Sequence, residues 1–196
     1  MSKIDDLIQE LCPDGVEYKH IDEIVKLKRG IRVVKKDLSS STGYPVYQNS
    51  LSPLGYYDKY NQSENTPFII CAGAAGEVGF SKEKYWGADD CFSLICPSDI
   101  NPRYLFHALL KYQSFLKSRV RKASVPRLSK KVIEQLLIPV PPIEVQEEIV
   151  RVLDSFAELE AELEAELEAR RRQYVYYRDQ LLTFNKPEIE RERESF

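Results

Sequence analysis

The sequence predicts an α+β protein, in which one mixed α/β domain is followed by a long C-terminal helix. Three observations predict this class. Short Val, Ile, Tyr and Phe runs separated by turn residues fill positions 31–97, as in β-rich domains. Helical periodicity returns at Pro102, and a stretch without proline or glycine extends from Ile143 to Phe184. With 196 residues, the chain has room for one ordinary domain and one extended element.

Local signals predict the elements of the domain in order. IDDLIQEL predicts a short amphipathic helix that ends at the turn Cys12–Gly15. VEYKHIDEIVKLKRG predicts a short helix or a pair of strands. PRYLFHALLKYQSFLKSRV predicts one helix capped by Asp99 or Asn101. KASVPRLS predicts a loop, and SKKVIEQLLIPV predicts a short helix that leads into a strand. The expected strands are YPVYQNS, PFIIC, EVGF and FSLIC, with tight turns at Gly73, Gly76, Gly79 and Gly87.

Pro139, Pro141 and Pro142 predict a domain boundary. Prolines at this density form a stiff, extended connector. We therefore expect a domain over residues 1–140, a long helix over 141–185, and a flexible charged tail over 186–196. As one helix, the stretch from Ile143 to Phe184 would be roughly 60 Å long.

The long helix carries a heptad seam, and a lone helix with such a seam is unstable in water. Two copies that run antiparallel about Ala165 pair residues whose numbers sum to 330. Leu163 then meets Leu167, and the polar pair Glu160 and Arg170 fixes the register of an antiparallel coiled coil. Alternatively, the LEAE repeats are generic helix formers with a stripe that includes Leu159. The expected dimer-interface residues are Ile149, Leu153, Phe156, Glu160, Leu163, Leu167, Arg170, Tyr174, Tyr177 and Leu181.

The net charge of −3 averages two unlike parts of the chain. Residues 1–140 carry 20 basic and 16 acidic side chains, whereas residues 141–196 carry 8 and 15. Residues 103–131 alone carry nine basic side chains and no acidic one. This concentration predicts a local anion-binding surface on the domain, whatever the total charge.

Three segments have the composition of a surface that binds duplex DNA. Lys and Arg bind phosphates, while Arg, Asn, Gln and Ser reach base edges. The segments are 119–131 around a proline-stiffened loop, 28–36, and the tyrosine-rich 44–61. A solvated basic helix end and an ordinary tyrosine-rich hairpin are the alternatives. The expected DNA-binding residues are Lys28, Arg29, Arg32, Lys35, Lys36, Tyr47, Gln48, Asn49, Arg119, Arg121, Lys122, Ser124, Arg127, Lys130 and Lys131.

Other chemistry has less support in the residues. The four cysteines form no C-x-x-C pair and have only two histidines beside them, which disfavours zinc. CAGAAGEVG has a spacing unlike that of nucleotide-binding turns. Asp89 and Asp90 are adjacent carboxylates, but neither belongs to a D/E-x-K motif. We expect no catalytic residue, metal ligand or cofactor on this chain, and a cytoplasmic protein without membrane association.

Several segments resemble the specificity subunits of type I restriction–modification systems. They are LCPDGVEY, AGEVGF followed by Trp86, SVPRLS, IPVPPIEVQEEIVRVLDSF and RRRQYVYYRDQLLTF, which together cover nearly the whole chain. The resemblance implies an α/β target-recognition domain, a conserved helix, and DNA contacts in the loop Ser124–Ser129. It also implies methyltransferase subunits that bring S-adenosylmethionine, and restriction subunits that use ATP and Mg²⁺.

Full-length members of this family carry two such units, whose helices pack antiparallel. This chain has one unit, and its ending resembles the family's C-terminus. We therefore expect a non-catalytic, half-length specificity subunit that forms a homodimer. It would bind double-stranded DNA at a palindromic bipartite site. The alternatives are a specificity partner of a type IIG-like restriction enzyme, or a coiled-coil scaffold that does not bind DNA.

Overall fold

The computed structural model describes residues 3–184 of the chain. Two compact units are present, one that ends at Val152 and one that begins at Leu153. The first is a mixed α/β domain and the second continues a long helix, which confirms the predicted mixed fold with a long C-terminal helix. The helices within residues 3–184 do not include one with the length and apolar character needed to cross a bilayer.

The order of elements matches most of the predicted segments. In chain order, the elements are α1 (Lys3–Leu11), β1 (Tyr18–His20), α2 (Ile21–Ile24), β2 (Lys26–Arg29), β3 (Tyr44–Tyr47), β4 (Tyr56–Tyr57), β5 (Thr66–Ile70), β6 (Val78–Ser81), β7 (Trp86–Gly87), β8 (Cys91–Ile95), α3 (Pro102–Lys111), α4 (Gln113–Ser118), α5 (Lys130–Glu134), β9 (Leu137–Pro139) and α6 (Ile143–Leu182). The four predicted strands correspond to β3, β5, β6 and β8. The two-residue strands β4 and β7 were not predicted.

A four-stranded antiparallel sheet forms the centre of the domain, with strand order β2–β8–β5–β6. All five residues of β5 are buried. Its sequence TPFII has no charged side chain, and α3 packs across β5 and β6. A second sheet, β4–β3–β7, has one antiparallel and one parallel pair. A ribbon of β1 and β9 pairs the start of the domain with the segment that leads into α6.

Two clusters of buried side chains lie on opposite faces of β5. Ile69 belongs to the larger cluster, whereas Phe68 and Ile70 belong to the smaller one, as the alternation of a strand requires. Leu105 and Leu109 of α3 are fully buried in the larger cluster. Burial of such side chains stabilises the domain by about 25 cal/mol per Å² of apolar surface removed from water.

The helix predicted from Pro102 to Val120 is broken at Tyr112. Asn101 provides its N-cap, since its side chain accepts hydrogen bonds from the N–H groups of Arg103 and Tyr104. The chain turns between α3 and α4, and the Gln113 side chain then accepts a hydrogen bond from Val78 N–H at 3.0 Å. The prediction of a single helix was therefore wrong, because α4 is redirected towards β6.

Two of the four glycines predicted to form turns lie in strands instead. Gly73 and Gly76 do form the turn after β5. Gly79 lies within β6, where an added Cβ would be 2.3 Å from Cζ of Phe68. Gly87 lies within β7 and pairs with Tyr47. The prediction of turns at these two positions was wrong, because Gly79 gives Phe68 space to pack and Gly87 extends a sheet edge.

The predicted long helix is confirmed as α6, a single helix of 40 residues. At 1.5 Å per residue it is about 60 Å long. Its first turns are part of the domain, where Val145, Gln146 and Glu148 are buried. The exposed fraction of its seam side chains is already 38% at Leu153 and reaches 73% at Leu181. The tail predicted over 186–196 lies outside the described residues.

Candidate nucleic-acid interface

The turn 71–76, directly after β5, lies between two of the predicted DNA-binding segments. Gly73 and Gly76 have positive φ angles of 79° and 88°, which residues with a side chain rarely adopt. A Cβ on Gly73 would lie 2.8 Å from Asn49, and one on Gly76 would lie 3.0 Å from the backbone nitrogen of Lys117. The two glycines therefore allow the tyrosine-rich segment and the basic segment to approach the same turn.

The predicted basic loop forms a tongue, residues 121–127, that is closed by a backbone bridge. Arg121 N–H donates to the Arg127 carbonyl at 2.8 Å, and Arg127 N–H donates back to the Arg121 carbonyl at 3.2 Å. Every residue of the tongue is exposed. Pro126 restricts the residue before it to an extended conformation, which limits the freedom of the tip. The tongue is a short, stiff projection with a cation at each side of its base.

The base of the tongue is fixed to the turn 71–76. Leu128 follows the tongue, is buried in the larger core cluster, and donates its N–H to the Cys71 carbonyl at 2.8 Å. Gly73 N–H donates to the Pro126 carbonyl at 3.3 Å. The exposed tip from Lys122 to Val125, which includes Ser124, is thus carried on a base that the core holds in place.

The tyrosine-rich segment contributes its polar residues to this surface, whereas its first aromatic ring packs inwards. Asn49 is exposed, and its carbonyl accepts a hydrogen bond from Ala74 N–H at 2.9 Å. Gln48 is half-buried beside it. The ring of Tyr47 stacks on Phe68 with centroids 4.6 Å apart. Burial, more than any other effect, raises the pKa of Tyr47. Asn49 therefore lies against the turn 71–76, whereas Tyr47 packs against the smaller core cluster.

The predicted segment 28–36 divides into two parts. Lys28 donates to the Asn61 carbonyl at 2.9 Å, and Arg29 donates through Nε to the Asp89 carbonyl at 2.9 Å. Arg32, Lys35 and Lys36 lie in the following segment, and the last two belong to a 3-10 turn. Lys35 borders an open groove of about 460 Å³ with residues 38–40 and 53–56. This second part contacts the smaller sheet rather than the tongue.

Arg29 and Arg127 both approach the start of the turn 71–76. Arg29 binds the carbonyl of Asp89, next to the Asp90 carbonyl that Cys71 contacts, and Arg127 forms an isolated β-bridge with Ala72. Burial raises the pKa of Cys71, the charge of Asp90 adds to the rise, and the charges of Arg29 and Arg127 oppose it. Cys71 N–H also donates to the Asp90 carbonyl at 2.7 Å. Cations from two segments, 28–36 and 119–131, therefore converge on the start of the turn 71–76.

The remaining predicted cations lie at helix ends on either side of the tongue. Arg119 ends α4, and its guanidinium lies 4.9 Å from the centroid of the Phe115 ring. Lys130 and Lys131 begin α5 and are exposed. Lys130 is already paired with Glu134, whose oxygen lies 2.5 Å from Nζ. Its charge is partly neutralised, so it is a weaker candidate for a phosphate contact than the tongue arginines.

The surface around the turn 71–76 offers cations and amide groups, which bind phosphates and base edges. Within residues 3–184, no group of three or more His, Cys, Asp and Glu side chains is placed to hold a metal ion. The four cysteines are free thiols, and Cys71 and Cys91 are buried. Binding of a polyanion is the chemistry that these residues can perform directly.

The sequence analysis gave no role to two polar residues that make buried contacts. Asn61 uses both ends of its amide on Gly87, as donor to the carbonyl at 2.9 Å and as acceptor from the N–H at 2.8 Å. Gln146 is fully buried at the start of α6 and makes three hydrogen bonds. The signal that could have identified it is an uncharged polar side chain at a seam position directly after the proline connector.

A family model for the type I restriction modification DNA specificity domain matches residues 13–169. Curated relatives include the putative type I specificity subunit S.MpnORF507P of Mycoplasma pneumoniae, 34% identical over 84% of this chain and 46% of the relative. The EcoR124I/EcoR124II specificity subunit of Escherichia coli is 30% identical over 97% of this chain and 50% of its own length. The chain spans about half the length of these relatives.

Solved structures share the fold at low sequence identity. The type I restriction-modification S subunit from M. genitalium has a TM-score of 0.68 and 19% identity over 87% of this chain and 47% of its own. The HsdS subunit from Thermoanaerobacter tengcongensis has a TM-score of 0.60 and 17% identity, and the match covers 83% of this chain and 44% of that subunit. The family model covers most of the residues, including the turn 71–76, the tongue and the start of α6. The chain therefore belongs to the family of type I restriction modification DNA specificity domains.

Proposed function

We propose that this chain is the DNA-specificity subunit of a type I restriction–modification complex and chooses the site on which other subunits act. The convergence of Arg29, Asn49 and the tongue on the turn 71–76 is the observation that carries the proposal. Cations would bind phosphates, while Asn49, Ser124 and the tongue arginines would reach base edges in the major groove. Membership of the specificity-domain family supports the same function.

Two copies of the chain would act together, paired through α6. The exposed fractions of Phe156, Leu163 and Leu167 are 64%, 58% and 52%, so the described part of one chain leaves the seam uncovered. Charge favours the antiparallel arrangement over the parallel one. Residues 143–164 carry eight acidic side chains and one basic side chain. Residues 166–184 carry three acidic and four basic side chains. An antiparallel pair sets each acidic half beside a basic half, and a parallel pair would set two acidic halves side by side.

An antiparallel homodimer would present two identical reading domains related by a two-fold axis. Such a dimer would recognise identical half-sites, inverted around a spacer that neither domain reads. The methyltransferase subunits would bring S-adenosylmethionine, and the restriction subunits would use ATP and Mg²⁺. A solved structure that concerns complex assembly and conformational transition of the type I R-M system is similar in fold, with a TM-score of 0.62. This chain itself would catalyse no reaction.

Methylation mapping tests the function. The gene for this chain would be expressed with that of its methyltransferase in a host without other methyltransferases, and methylated bases would be located across the genome. We expect one bipartite consensus with inverted, identical half-sites. A consensus with unlike half-sites would contradict the homodimer. Genomic DNA without any sequence-specific methylation, from cells in which both proteins are soluble and associated, would contradict the specificity function.

Crosslinking between seam positions tests the antiparallel register. In that register Leu163 faces Leu167 of the other copy, so a mixture of Leu163→Cys and Leu167→Cys chains should form a disulfide on mild oxidation. Neither variant alone should form this disulfide, because in the antiparallel register position 163 of one copy does not face position 163 of the other, and the same holds for position 167. A parallel, in-register pair would give the opposite result, with each variant crosslinking by itself. The unmodified chain, with its four native thiols, is the control.

Two other functions remain open to test. A specificity partner of a type IIG-like enzyme would copurify with a single chain that both cuts and methylates. A coiled-coil scaffold would dimerise equally well but would not retard DNA. A gel-shift assay at moderate salt, with and without the methyltransferase, separates the scaffold from the DNA reader. The exposed tongue with its two basal arginines favours the DNA reader.

A further inference from the structure

The seam face of α6 changes from buried to exposed within three turns. The heptad spacing that contains Ile149 and Leu153 places Gln146 at the preceding seam position. Gln146 is 0% exposed, Ile149 is half-buried, and Leu153 is 38% exposed. The domain of the same chain therefore covers the seam at Gln146, and this cover is lost by Leu153.

Gln146 is held by three hydrogen bonds that use both ends of its side-chain amide. The amide nitrogen donates to the Asp99 carbonyl at 3.0 Å and to the Pro141 carbonyl at 2.8 Å. The amide oxygen accepts from Asn101 N–H at 2.8 Å. One side chain thus joins the first turns of α6 both to the proline connector and to the residue that caps α3.

The chemistry of these bonds makes Gln146 hard to replace. Two carbonyls need a donor and one N–H needs an acceptor at the same buried point, and a primary amide supplies both. A carboxylate would keep the acceptor but face two carbonyl oxygens. A methionine would fill the space but leave the three polar backbone groups that contact Gln146 without this partner. A second contact lies nearby, where the buried carboxylate of Glu148 binds Lys3 of α1 at 2.8 Å.

We propose that Gln146 is a positioning residue, which fixes the DNA-reading domain on α6 and so restricts the dimer to one spacer length. The inference rests on the proposed function, since it assumes that paired α6 helices separate the two half-sites. The cap residue Asn101 starts α3, which packs on β5 and β6, and β5 leads directly into the turn 71–76. A loosened joint at Gln146 would let the reading surface shift relative to the helix without altering the residues that read bases.

Spacer profiling of the complex with its methyltransferase tests this role. A library of sites would carry the two half-sites at every spacer from about three base pairs shorter than the wild-type length to about three longer. The methylated fraction at each spacer would be compared for the wild type, Gln146→Glu and Gln146→Met. We expect the wild type to methylate one spacer. Both variants should lose roughly tenfold at that spacer, the order of effect of one buried hydrogen-bond group, and gain methylation at neighbouring spacers.

A matched control separates positioning from stability. Ile133→Val removes one methylene from the fully buried Ile133 of α5, which lies in the larger core cluster and outside both α6 and the predicted DNA-binding residues. It should lower methylation at all spacers in proportion and leave the preferred spacer unchanged. If Gln146 variants with the same melting temperature as Ile133→Val also lost methylation in proportion at all spacers and kept the preferred spacer, the inference would be overturned.

A folded-state measurement covers variants that lose methylation entirely. Hydrogen exchange would then report the Asn101 amide, which donates to Gln146. Faster exchange there, with core amides still protected, supports a loosened joint; unchanged exchange contradicts it. Failure of the proposed function looks different, because the wild type itself would then show no bipartite site. A wild type with one spacer and variants with the same single spacer would reject the inference alone.

Discussion

The α/β domain and the exposed part of α6 differ in how they treat apolar side chains. In the domain, side chains such as Ile69 and Leu105 are 0% exposed, and buried polar groups such as Gln146 are bonded within the chain. On α6 beyond Val152, large apolar residues remain more than one third exposed, and ion pairs such as Arg172–Glu168 lie between neighbouring turns. The domain has a buried core of its own, whereas the described part of α6 beyond Val152 leaves its seam side chains exposed.

This difference separates two kinds of recognition on one chain. The surface around the turn 71–76 is polar, basic and carried on a folded core, which suits a ligand that differs from one site to the next. The seam of α6 is apolar and repetitive, which suits one constant partner. Changes to the seam should therefore weaken assembly and leave the domain folded. Changes to the tongue should weaken DNA binding and leave assembly unchanged.

The largest effect is expected from a charge in the centre of the seam. Leu163→Asp places a carboxylate against Leu167 of the other copy in two symmetric layers, which costs several kcal/mol. Sedimentation should show monomers at concentrations where the wild type is a dimer, with less helical circular dichroism, because the free seam helix is unstable. Glu162→Asp, outside the seam, is the matched control. A dimeric Leu163→Asp variant would show that the seam is not the interface.

The tongue should show the next largest effect. Arg127→Ala removes a cation at the base of the tongue but keeps its backbone bridge to Arg121. DNA affinity should fall by about 1–3 kcal/mol if Arg127 contacts a base edge. If it contacts a phosphate, the salt dependence of log K should also decrease by about one unit. Lys130→Ala is the control, since Lys130 is paired with Glu134. Sedimentation should report an unchanged dimer, and equal losses for both variants would argue against a special role for the tongue.

Charge exchange in the seam should have a smaller, reversible effect. Glu160→Arg or Arg170→Glu alone creates like charges in two layers and should weaken dimerisation roughly tenfold or more. The double exchange restores opposite charges in the antiparallel register and should recover most of the affinity. The matched control exchanges Glu168 and Arg172, which form an i,i+4 pair at 3.1 Å within one helix. Sedimentation equilibrium would measure the dimerisation constant of the two single variants, the double variant and the control. If the double variant did not recover dimer affinity, Glu160 would not face Arg170 of the other copy.

The smallest effect concerns acid stability of the domain. Arg151 and Lys3 hold the pKa of Glu148 down at about 2 by hydrogen bonding, against an ordinary value of 4.5. Because the folded pKa is the lower one, the stabilisation is fully present above the ordinary pKa of 4.5 and is lost as the pH falls towards about 2. Thermal melting should show this decline in the wild type and a shallower one in Glu148→Gln. Identical pH profiles would mean that the pair does not stabilise the domain.

Strong periodicity explains what the sequence predicted well. The long stretch of α6 without proline or glycine and the apolar runs of β5 and β8 are each compatible with few other secondary structures. β4 and β7 have two residues each, too short for any pattern, and form because β3 brings partners from both sides. The break at Tyr112 depends on Gln113 reaching β6, and Gly79 lies in a strand because Phe68 needs its space. These outcomes are set by contacts between distant segments, so local signals could not reveal them.

The candidate site was predictable by segment but not by residue. The charge count located the basic loop, which the structure shows as an exposed tongue with Arg121 and Arg127 at its base. Tyr47 has the composition of a reading residue, yet its ring completes the cluster with Phe68 and Tyr85. Gln146 stood within a segment that carries the family resemblance, but its burial and its hydrogen bonds were not predicted. Which polar side chain points inwards depends on the packing of neighbouring elements, and one sequence does not encode that locally.

The closure of the tongue has a consequence for how such proteins diversify. The bridge between Arg121 and Arg127 and the anchor at Leu128 use backbone groups and one buried side chain. The stretch from Lys122 to Val125 therefore makes no demand on the core. Substitutions there would be nearly neutral for folding, so new DNA preferences could be explored one residue at a time without passing through unfolded ancestors.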